Sequence, residues 1–286
     1  MVGRPVWNLD RVDQRPRTLS NSYSYSYTGA GVTAYVVDTG IRTSHSEFGG
    51  RALAMPGWDF VRDGRNGQDC HGHGTHVAGT IGGNAWGVAK RVTLVSVRVF
   101  DCAGIAPVGA IVAAVNQIMA IGKRPAVANM SLAGPIDWAL DDAVTNSVKA
   151  GVTYVVAAGN SGVDACTISP ARVAGAITVG ATDRYDQRAI FGYGLASNWG
   201  GCVDVWAPGL NVWSASYTNN TDAVSMSGTS MAAPHASGAA AIYLSVYPTS
   251  TPDAVRNVII NTATAGLLTG IGAGSPNRLL FSLLHQ

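Results

Sequence analysis

Residues 32–40 run Val32-Thr33-Ala34-Tyr35-Val36-Val37-Asp38-Thr39-Gly40, a β-branched and aromatic segment that ends at an aspartate before a glycine turn. Such residues favour a buried β-strand. Open α/β sheets gather their reactive groups at the carboxyl ends of the strands. The segment therefore predicts that Asp38 emerges at the functional edge of a sheet.

Similar apolar runs alternate with helical stretches along the chain after residue 30. This alternation predicts an α/β fold, with a mostly parallel central sheet and helices on both faces. No linker rich in Pro, Gly or charge interrupts residues 30–265, so we expect one domain over residues 1–286, with residues 1–30 as an N-terminal surface arm. The predicted strands are 33–38, 92–100, 127–132, 153–157, 176–180 and 203–206, and the predicted helices are 74–82, 108–119, 136–150, 231–246 and 251–262.

The composition excludes several functional classes. The chain has 286 residues, of which 47% are hydrophobic and 13% charged, and its formal net charge is +2. Such a nearly neutral chain gives no indication of a nucleic-acid partner or of a basic membrane-binding face. No apolar run reaches the roughly 18 residues that a transmembrane helix needs.

A candidate nucleophile is Ser230, in Gly228-Thr229-Ser230-Met231-Ala232-Ala233-Pro234-His235. The turn leads into an apolar helical segment, where free backbone N–H groups and the helix dipole favour a reacting hydroxyl. A serine hydroxyl needs a base, and the base needs an orienting carboxylate. His73, in Asp69-Cys70-His71-Gly72-His73-Gly74-Thr75-His76-Val77-Ala78-Gly79-Thr80, and Asp38 are the candidates for these roles.

Three segments, 37–40, 73–80 and 228–235, resemble the signature blocks of the subtilisin-like serine proteases, the subtilases. The chain order of Asp, His and Ser is also that of subtilisin. The similarity runs from about Trp7 to the C-terminus, and within the family the chain resembles the proteinase K branch. The cysteine placement and the opening Asp10-Arg11-Val12-Asp13-Gln14-Arg15 are similar to those of the aqualysin-type enzymes of thermophiles.

The resemblance implies a serine endopeptidase that cleaves proteins and peptides through an acyl-enzyme intermediate. It gives Ser230 the role of nucleophile, His73 that of general base, and Asp38 that of the group that orients His73 and stabilises its cation. It gives Asn160, in Ala157-Ala158-Gly159-Asn160, the role of oxyanion donor beside the Ser230 backbone N–H.

Other histidines and aspartates are rivals for these roles. The family motif favours His73 over His76, and it favours Asp38 over Asp101 and Asp204. His71 stands where the family usually has a small or amide residue, and the sequence offers no interpretation of this departure.

The resemblance also implies where a substrate lies. Gly104-Ile105-Ala106 and Ser131-Leu132-Ala133-Gly134 are similar to the two segments that flank an extended peptide and pair with its backbone. Ala157, Ala158 and Gly159 would line a roomy apolar pocket for the P1 residue, on the amino side of the cut, favouring aromatic or large aliphatic side chains. Ile105 and Ala106 replace smaller or more flexible residues, so preferences at other subsites are open.

Four cysteines allow three pairings. The resemblance implies the disulfides Cys70–Cys102 and Cys166–Cys202, each worth roughly 3–4 kcal/mol of unfolded-state entropy. Disulfides indicate an exported protein, whereas four free thiols would indicate a cytosolic one. No two cysteines have the spacing of zinc ligands.

Structural calcium is a further implication of the resemblance, because hard cations take oxygen ligands. One site would use the backbone carbonyls of Ala174 and Ala176 with the Asp204 carboxylate. A second would use Asp10, Asp13 and Gln14, although Ser20 stands where some relatives have another carboxylate. Asp59 and Asp63 are a third possibility.

We expect an extracellular, secreted and thermostable monomer. Residues 1–5 lack the apolar core of a signal peptide. We therefore expect a mature chain without its leader and propeptide, a segment that this family commonly needs for folding.

Three other functions fit the sequence less well than a serine endopeptidase does. Residues 71–76 hold three histidines, but zinc hydrolases carry an acidic base within the motif and none is present here. An esterase of the α/β-hydrolase type would have Gly at position 232, where this chain has Ala, and another triad order. A catalytically inactive binding module would not need an intact triad and Asn160.

Overall fold

The computed structural model describes residues 6–284. Residues 1–5, considered above for a leader, and residues 285–286 lie outside this described part. The helices are α1 Trp7–Val12, α2 His73–Gly82, α3 Val108–Ile121, α4 Trp138–Lys149, α5 Thr229–Val246 and α6 Pro252–Thr262. The strands are β1 Thr33–Asp38, β2 Ala52–Leu53, β3 Thr93–Arg98, β4 Ala126–Met130, β5 Thr153–Ala157, β6 Ile177–Thr182, β7 Ile190–Gly192, β8 Leu195–Ala196, β9 Val205–Pro208, β10 Val212–Ala215, β11 Ala223–Met226, β12 Thr264–Ala265 and β13 Arg278–Leu279.

A nine-stranded sheet in the order β12-β13-β9-β6-β5-β4-β1-β3-β2 forms the centre of the molecule. All neighbouring strands run parallel except β12 and β13, which are antiparallel. The predicted α/β fold is therefore confirmed. Two further pairs, β7–β8 and β10–β11, lie outside the central sheet.

The strand β1 shows how the two layers arise. All six of its residues are buried, and successive side chains of a strand point to opposite faces. Ala34 and Val36 pack in one core cluster with α2, α5 and α6. Tyr35 and Val37 pack in a second cluster with α3 and α4. This alternation places helices on both faces of the sheet.

The N-terminal segment differs from the predicted surface arm. Residues 7–12 form α1, and Leu9 and Val12 are fully buried in the main core cluster. The Arg11 side chain is also buried and pairs with Asp186 at 2.7 Å. The expectation is wrong for α1 because its apolar side chains, three positions apart, pack on one helix face. Residues 14–28 do lie at or near the surface.

Both disulfides implied by the resemblance are formed. The Cα atoms of Cys70 and Cys102 are 5.1 Å apart, and those of Cys166 and Cys202 are 5.2 Å apart. The Ser169–Pro170 peptide bond is cis. In the described range, no helix combines the length and the hydropathy that crossing a bilayer requires.

Candidate active site

Asp38 and His73 meet at the carboxyl edge of the sheet. Asp38 is the last residue of β1, and His73 is the first residue of α2. The Oδ1 atom of Asp38 lies 2.7 Å from Nδ1 of His73, and Oδ1 also accepts a hydrogen bond from the Thr39 N–H at 2.7 Å. The carboxylate is buried, whereas 24% of the His73 side chain is exposed. Asp38 therefore fixes the imidazole and leaves its other nitrogen facing the cleft.

The start of α2 requires glycine. A Cβ atom on Gly74 would lie 2.2 Å from the Gly40 carbonyl oxygen and 3.1 Å from the Asp38 side chain. Only a residue without a side chain lets α2 approach β1 closely enough for the His73–Asp38 contact. The Gly74 N–H donates to Thr39 Oγ1 at 2.9 Å, which secures this approach.

Asp69 organises the turn before α2. Its carboxylate accepts hydrogen bonds from the backbone N–H groups of His71, Gly72 and Thr75, each at 2.9 Å. It also accepts the Thr75 hydroxyl at 2.6 Å and the Thr39 hydroxyl at 2.9 Å. This role of Asp69 was not predicted, because a carboxylate that bridges two segments of the chain has no local sequence pattern.

The environment of His73 changes its basicity. Burial of the ring lowers the pKa, but the charge of Asp38 and the hydrogen bond to it raise the pKa, with a smaller contribution from Asp69. The net shift of the His73 pKa is upward. Only the neutral form of His73 can accept a proton. The raised pKa therefore means that this base is lost at a higher pH as the solution is acidified.

Ser230 lies in the first turn of α5, where backbone N–H groups have no intrahelical acceptor. Its hydroxyl donates to the Ser131 carbonyl at 3.2 Å. In return, the Ser131 hydroxyl donates to the Ser230 carbonyl at 2.8 Å. That carbonyl lacks its usual helical donor, because Pro234, four residues on, has no N–H. Ser131 thus compensates for a proline inside the helix and ties β4 to α5.

The Asn160 side chain has a defined orientation. Its Oδ1 accepts hydrogen bonds from the N–H and the hydroxyl of Thr229, both at 2.8 Å. The Thr229 hydroxyl also accepts the Gly159 N–H at 3.1 Å. With Oδ1 engaged in this way, the Nδ2 group of Asn160 is left as a donor beside the Ser230 N–H.

His73, Ser131, Asn160 and Ser230 line one cleft with a volume of about 700 Å³. Its wall includes most of the predicted substrate-binding residues, together with several that the sequence analysis did not select. The predicted residues in the wall are Gly104, Ser131, Leu132, Ala133, Gly134, Ala157 and Gly159, and the additional ones include His71, Phe100, Pro135, Ile168 and Asn198.

Three predicted substrate-binding residues do not line the cleft. Ala158 is fully buried, and its carbonyl accepts the Asn198 side chain at 2.8 Å. Ile105 is 66% exposed to solvent, and Ala106 packs against the core cluster that contains α3. Ala158 lies between the lining residues Ala157 and Gly159, and successive side chains of an extended segment point to opposite faces, so its side chain is turned into the core.

The alternative candidates for the base and the orienting carboxylate lie elsewhere. His76 is fully buried, its Nε2 contacts the Val212 carbonyl at 2.9 Å, and burial lowers its pKa to about 4. Asp101 accepts the N–H groups of Ala103 and Ile105 at 2.9 Å in a surface turn. Asp204 pairs with Arg256. None of the three lines the cleft that His73 and Ser230 share, whereas Asp38 is hydrogen-bonded to His73.

The predicted calcium site at Asp204 does not fit the structure. The carboxylate contacts the Arg256 guanidinium with both oxygens, and one oxygen also accepts the Thr178 N–H at 2.9 Å. A guanidinium thus takes the place of the cation that Ala174, Ala176 and Asp204 were expected to bind. Asp59 and Asp63 likewise pair with Arg98, at 3.3 Å and 2.6 Å.

The site at Asp10, Asp13 and Gln14 fits a cation better. One carboxylate oxygen of Asp13 is buried without a hydrogen-bond partner. Burial raises the Asp13 pKa to about 6, and the charge of Asp10 contributes to the increase. Asp10 itself accepts hydrogen bonds from Ser20 and Asn21, and Gln14 donates to the Thr18 carbonyl at 2.6 Å. Within residues 6–284, no group of three or more His, Cys, Asp or Glu side chains is arranged for a metal.

Known proteins resemble this chain over most of its length. An extracellular serine proteinase of Thermus sp. (strain Rt41A) is 52% identical over 277 residues, which cover 97% of this chain and 66% of that protein. Alkaline serine exoprotease A of Vibrio alginolyticus is 49% identical over 278 residues, covering 97% of this chain and 50% of that protein. The chain thus spans half to two thirds of the length of these curated relatives.

A solved structure is also similar. The crystal structure of a cold adapted subtilisin-like serine proteinase has a TM-score of 0.93 and 44% sequence identity, covering 98% of this chain and 99% of that chain. A model of the subtilase family matches residues 29–277, a range that includes all three motifs described above. This match confirms the resemblance, and the chain belongs to the subtilase family.

Proposed function

We propose that this chain is a secreted serine endopeptidase of broad specificity, with Ser230, His73 and Asp38 as its catalytic triad. The observation that carries the proposal is the 2.7 Å bond between His73 and Asp38 at the wall of the cleft that Ser230 also lines. Asn160 lies beside Ser230 with its amide N–H group free to donate. A base, a nucleophile and an oxyanion donor thus converge on one cavity.

The reaction begins with rotation of the Ser230 side chain away from the Ser131 carbonyl toward His73. The Ser230 hydroxyl then attacks the scissile carbonyl carbon while its proton passes to His73 Nε2. The C–N bond breaks as the leaving amine takes that proton. Water repeats the sequence on the acyl-enzyme, releasing the acid and restoring Ser230. Asp38 remains ionised and stabilises the His73 cation.

The negative charge on the carbonyl oxygen is stabilised by two donors, Asn160 Nδ2 and the Ser230 backbone N–H. Both donors are fixed before the substrate binds. The Thr229 hydrogen bonds hold the Asn160 amide, and the N-terminus of α5 holds the Ser230 N–H. Donors that need no reorganisation during the reaction contribute most to lowering its barrier.

The substrate is an extended polypeptide. Gly104 and residues 131–134 all line the cleft. An extended peptide bound there can pair with the backbone of both segments. The P1 side chain enters the space bounded by Ala157, Gly159 and Ile168, which suits large apolar and aromatic residues. Backbone pairing explains broad specificity, because every peptide offers the same groups.

Calcium, export and a monomeric state belong to the same proposal. Asp10 and Asp13 would hold one structural Ca²⁺, whose positive charge would offset their mutual repulsion. The names of the Thermus and Vibrio relatives support secretion. A propeptide that assists folding would precede the chain.

The test is labelling with a sulfonyl fluoride followed by peptide mapping, with casein digestion measured in parallel. We expect one modified residue, Ser230, and complete loss of digestion. A Ser230→Ala protein prepared in the same way is the control and should neither digest casein nor take up the label. Digestion that survives the inhibitor, or a label on another residue, contradicts the proposed triad.

A further inference from the structure

The hairpin formed by β7 and β8 is an exposed apolar loop. It lies outside the central sheet, and its strands pair at Ile190–Ala196 and Gly192–Leu195, with a shift of register between the two pairs. Tyr193 at its tip is fully exposed, Ile190 is 67% exposed and Leu195 is 48% exposed. A two-stranded hairpin of this kind is only marginally stable in water. It can therefore open locally while the rest of the fold stays intact.

The backbone at the tip has an unfavourable conformation. Tyr193 has a φ of 52°, in the left-handed region that residues other than glycine rarely adopt. Its neighbours Gly192 and Gly194 have φ values of 87° and 78°. Opening the hairpin releases Tyr193 from this conformation, and the two glycines leave the released chain free to extend. Exposed loop tips of this kind are preferred sites of proteolytic nicking.

The released segment has the chemistry of the proposed substrate. Residues 189–199 carry no charged side chain, and the P1 pocket described above suits large apolar and aromatic side chains. The hairpin holds two aromatic residues, Phe191 and Tyr193. Phe191 packs against the main core cluster, whereas Tyr193 is fully exposed. Tyr193 is therefore the aromatic side chain of the hairpin that is free to enter the P1 pocket of another molecule.

Both ends of the hairpin are anchored to the fold. Before it, the Ala189 N–H donates to the Ala181 carbonyl at 2.9 Å, and after it, the Ser197 hydroxyl accepts the Ala181 N–H at 2.9 Å. The next residue, Asn198, lines the cleft, and its side chain accepts the Ser161 N–H at 3.0 Å. A cut at the tip removes none of these contacts, so the cleavage should stay limited to the hairpin.

A disulfide encloses the hairpin. Cys166 is bonded to Cys202, and residues 190–195 lie within the loop that this bond closes. The strands β6 and β9, which precede and follow the hairpin, pair with each other in the central sheet. A cut in the hairpin would therefore give two polypeptides that stay joined by a covalent bond and by the sheet.

We propose that the Tyr193–Gly194 bond is a self-cleavage site, cut in the active site of a second copy of this chain. The inference rests on the proposed endopeptidase function and deepens it by naming a substrate. The Ser230 hydroxyl of one copy attacks the Tyr193 carbonyl of the other, the C–N bond breaks, and Gly194 leaves as an amine. Water then hydrolyses the acyl-enzyme and releases the Tyr193 carboxylate. The product is a disulfide-linked two-chain form of the enzyme.

The experiment uses as its substrate the chain inactivated with a sulfonyl fluoride and freed of excess reagent. A small amount of unmodified enzyme is added, and the products are analysed by mass spectrometry with and without a reductant. Without the reductant we expect one species, heavier than the intact chain by one water molecule. With the reductant we expect two fragments, residues 1–193 and 194–286. Cleavage of the inactivated chain by a second molecule is the only route to these products.

Two tyrosine variants, inactivated in the same way, test the position of the cut. Tyr193→Asp should slow it at least about tenfold, because an apolar pocket must desolvate the charge that enters it. Tyr185→Asp, which changes a tyrosine that is 69% exposed and lies outside the hairpin, is the matched control and should be cut at the unmodified rate.

The outcomes separate this proposal from the function on which it rests. Casein digestion is measured in parallel with the unmodified enzyme. If casein is digested while the inactivated chain stays uncut, is first cut at another bond, or is cut equally fast in Tyr193→Asp, the self-cleavage site is overturned. If casein is not digested, the endopeptidase function itself is overturned.

Discussion

At the scale of single residues, Ser230 and Asn160 differ in what fixes them. The Ser230 hydroxyl has one hydrogen bond, to the Ser131 carbonyl, and can exchange it for His73. The Asn160 amide is held by two bonds to Thr229. The proposed nucleophile therefore keeps freedom to move, while the proposed oxyanion donor is fixed before a substrate binds.

Asn160→Ala should lower kcat by about 10²–10³-fold with little change in KM, the scale for loss of one oxyanion donor. The reason is that this donor acts on charge that develops only in the transition state. Steady-state kinetics on a chromogenic peptide measure it. Asn116→Ala, which removes an exposed amide on α3, should leave both constants unchanged. An equal loss in both variants would contradict the assigned role.

Asp38→Asn should lower kcat by about 10⁴-fold, because the tautomer and cation of His73 lose their support. The acid limb of the remaining activity should also move to lower pH. Asp38 raises the His73 pKa, and a raised pKa means that the neutral base is lost at a higher pH. Removing the carboxylate lowers the pKa and extends the neutral form downward. A pH–rate profile that keeps its acid limb in place would refute this account.

At the scale of secondary-structure elements, α1 is a structural part of the core. Leu9→Ala should destabilise the protein by about 2–5 kcal/mol, since it leaves a cavity where a fully buried side chain packed. Urea unfolding measures the change in free energy. Thr18→Ala, in the exposed segment after α1, is the control and should have little effect. A small effect of Leu9→Ala would mean that α1 is dispensable.

The turn after α1 should respond to calcium through Asp13. The folded-state pKa of Asp13 is raised from 3.8 to about 6, so the metal-free protein loses stability as pH rises through that window. Asp13→Asn should abolish this loss, and calcium should raise the Tm of the unmodified protein at neutral pH but not that of the variant. Thermal unfolding with a chelator and with calcium, from about pH 4 to 7.5, tests both points. An equal rise in Tm on adding calcium to the unmodified protein and to the Asp13→Asn variant would exclude calcium binding at this site.

At the scale of the whole molecule, stability does not come from surface ion-pair networks. Only 13% of the residues are charged. Of the few ion pairs in the described range, three involve the fully buried guanidinium groups of Arg11 and Arg98. Any heat resistance would therefore come from packing on both faces of the sheet, from the two disulfides and from the proposed calcium. We expect a Tm above about 60 °C with calcium present, higher than most mesophilic domains. A lower Tm in calorimetry, or a Tm unchanged by reduction of the disulfides, would contradict this account.

The sequence determined the fold class and indicated the candidate catalytic residues. β1, α2 and α5 were predicted close to their observed bounds, because hydrophobic periodicity and glycine turns are local signals. The three motifs pointed to Asp38, His73 and Ser230, since each motif keeps the residues that its own turn requires. Gly74 is an example, because the close approach of α2 to β1 admits no side chain there.

Only the tertiary structure decided the rest. The contacts that orient side chains at the candidate sites join residues far apart in the chain. Asp204 pairs with Arg256, and Asn160 accepts hydrogen bonds from Thr229. The burial of α1 also depends on distant segments. This helix is too short to be predicted from hydrophobic periodicity, and it is buried because other parts of the core pack against it. His71 lies beside Gly104, because the Cys70–Cys102 disulfide joins the two segments that carry these residues. Local patterns determine which elements form, whereas the packing of distant segments decides which side chains meet.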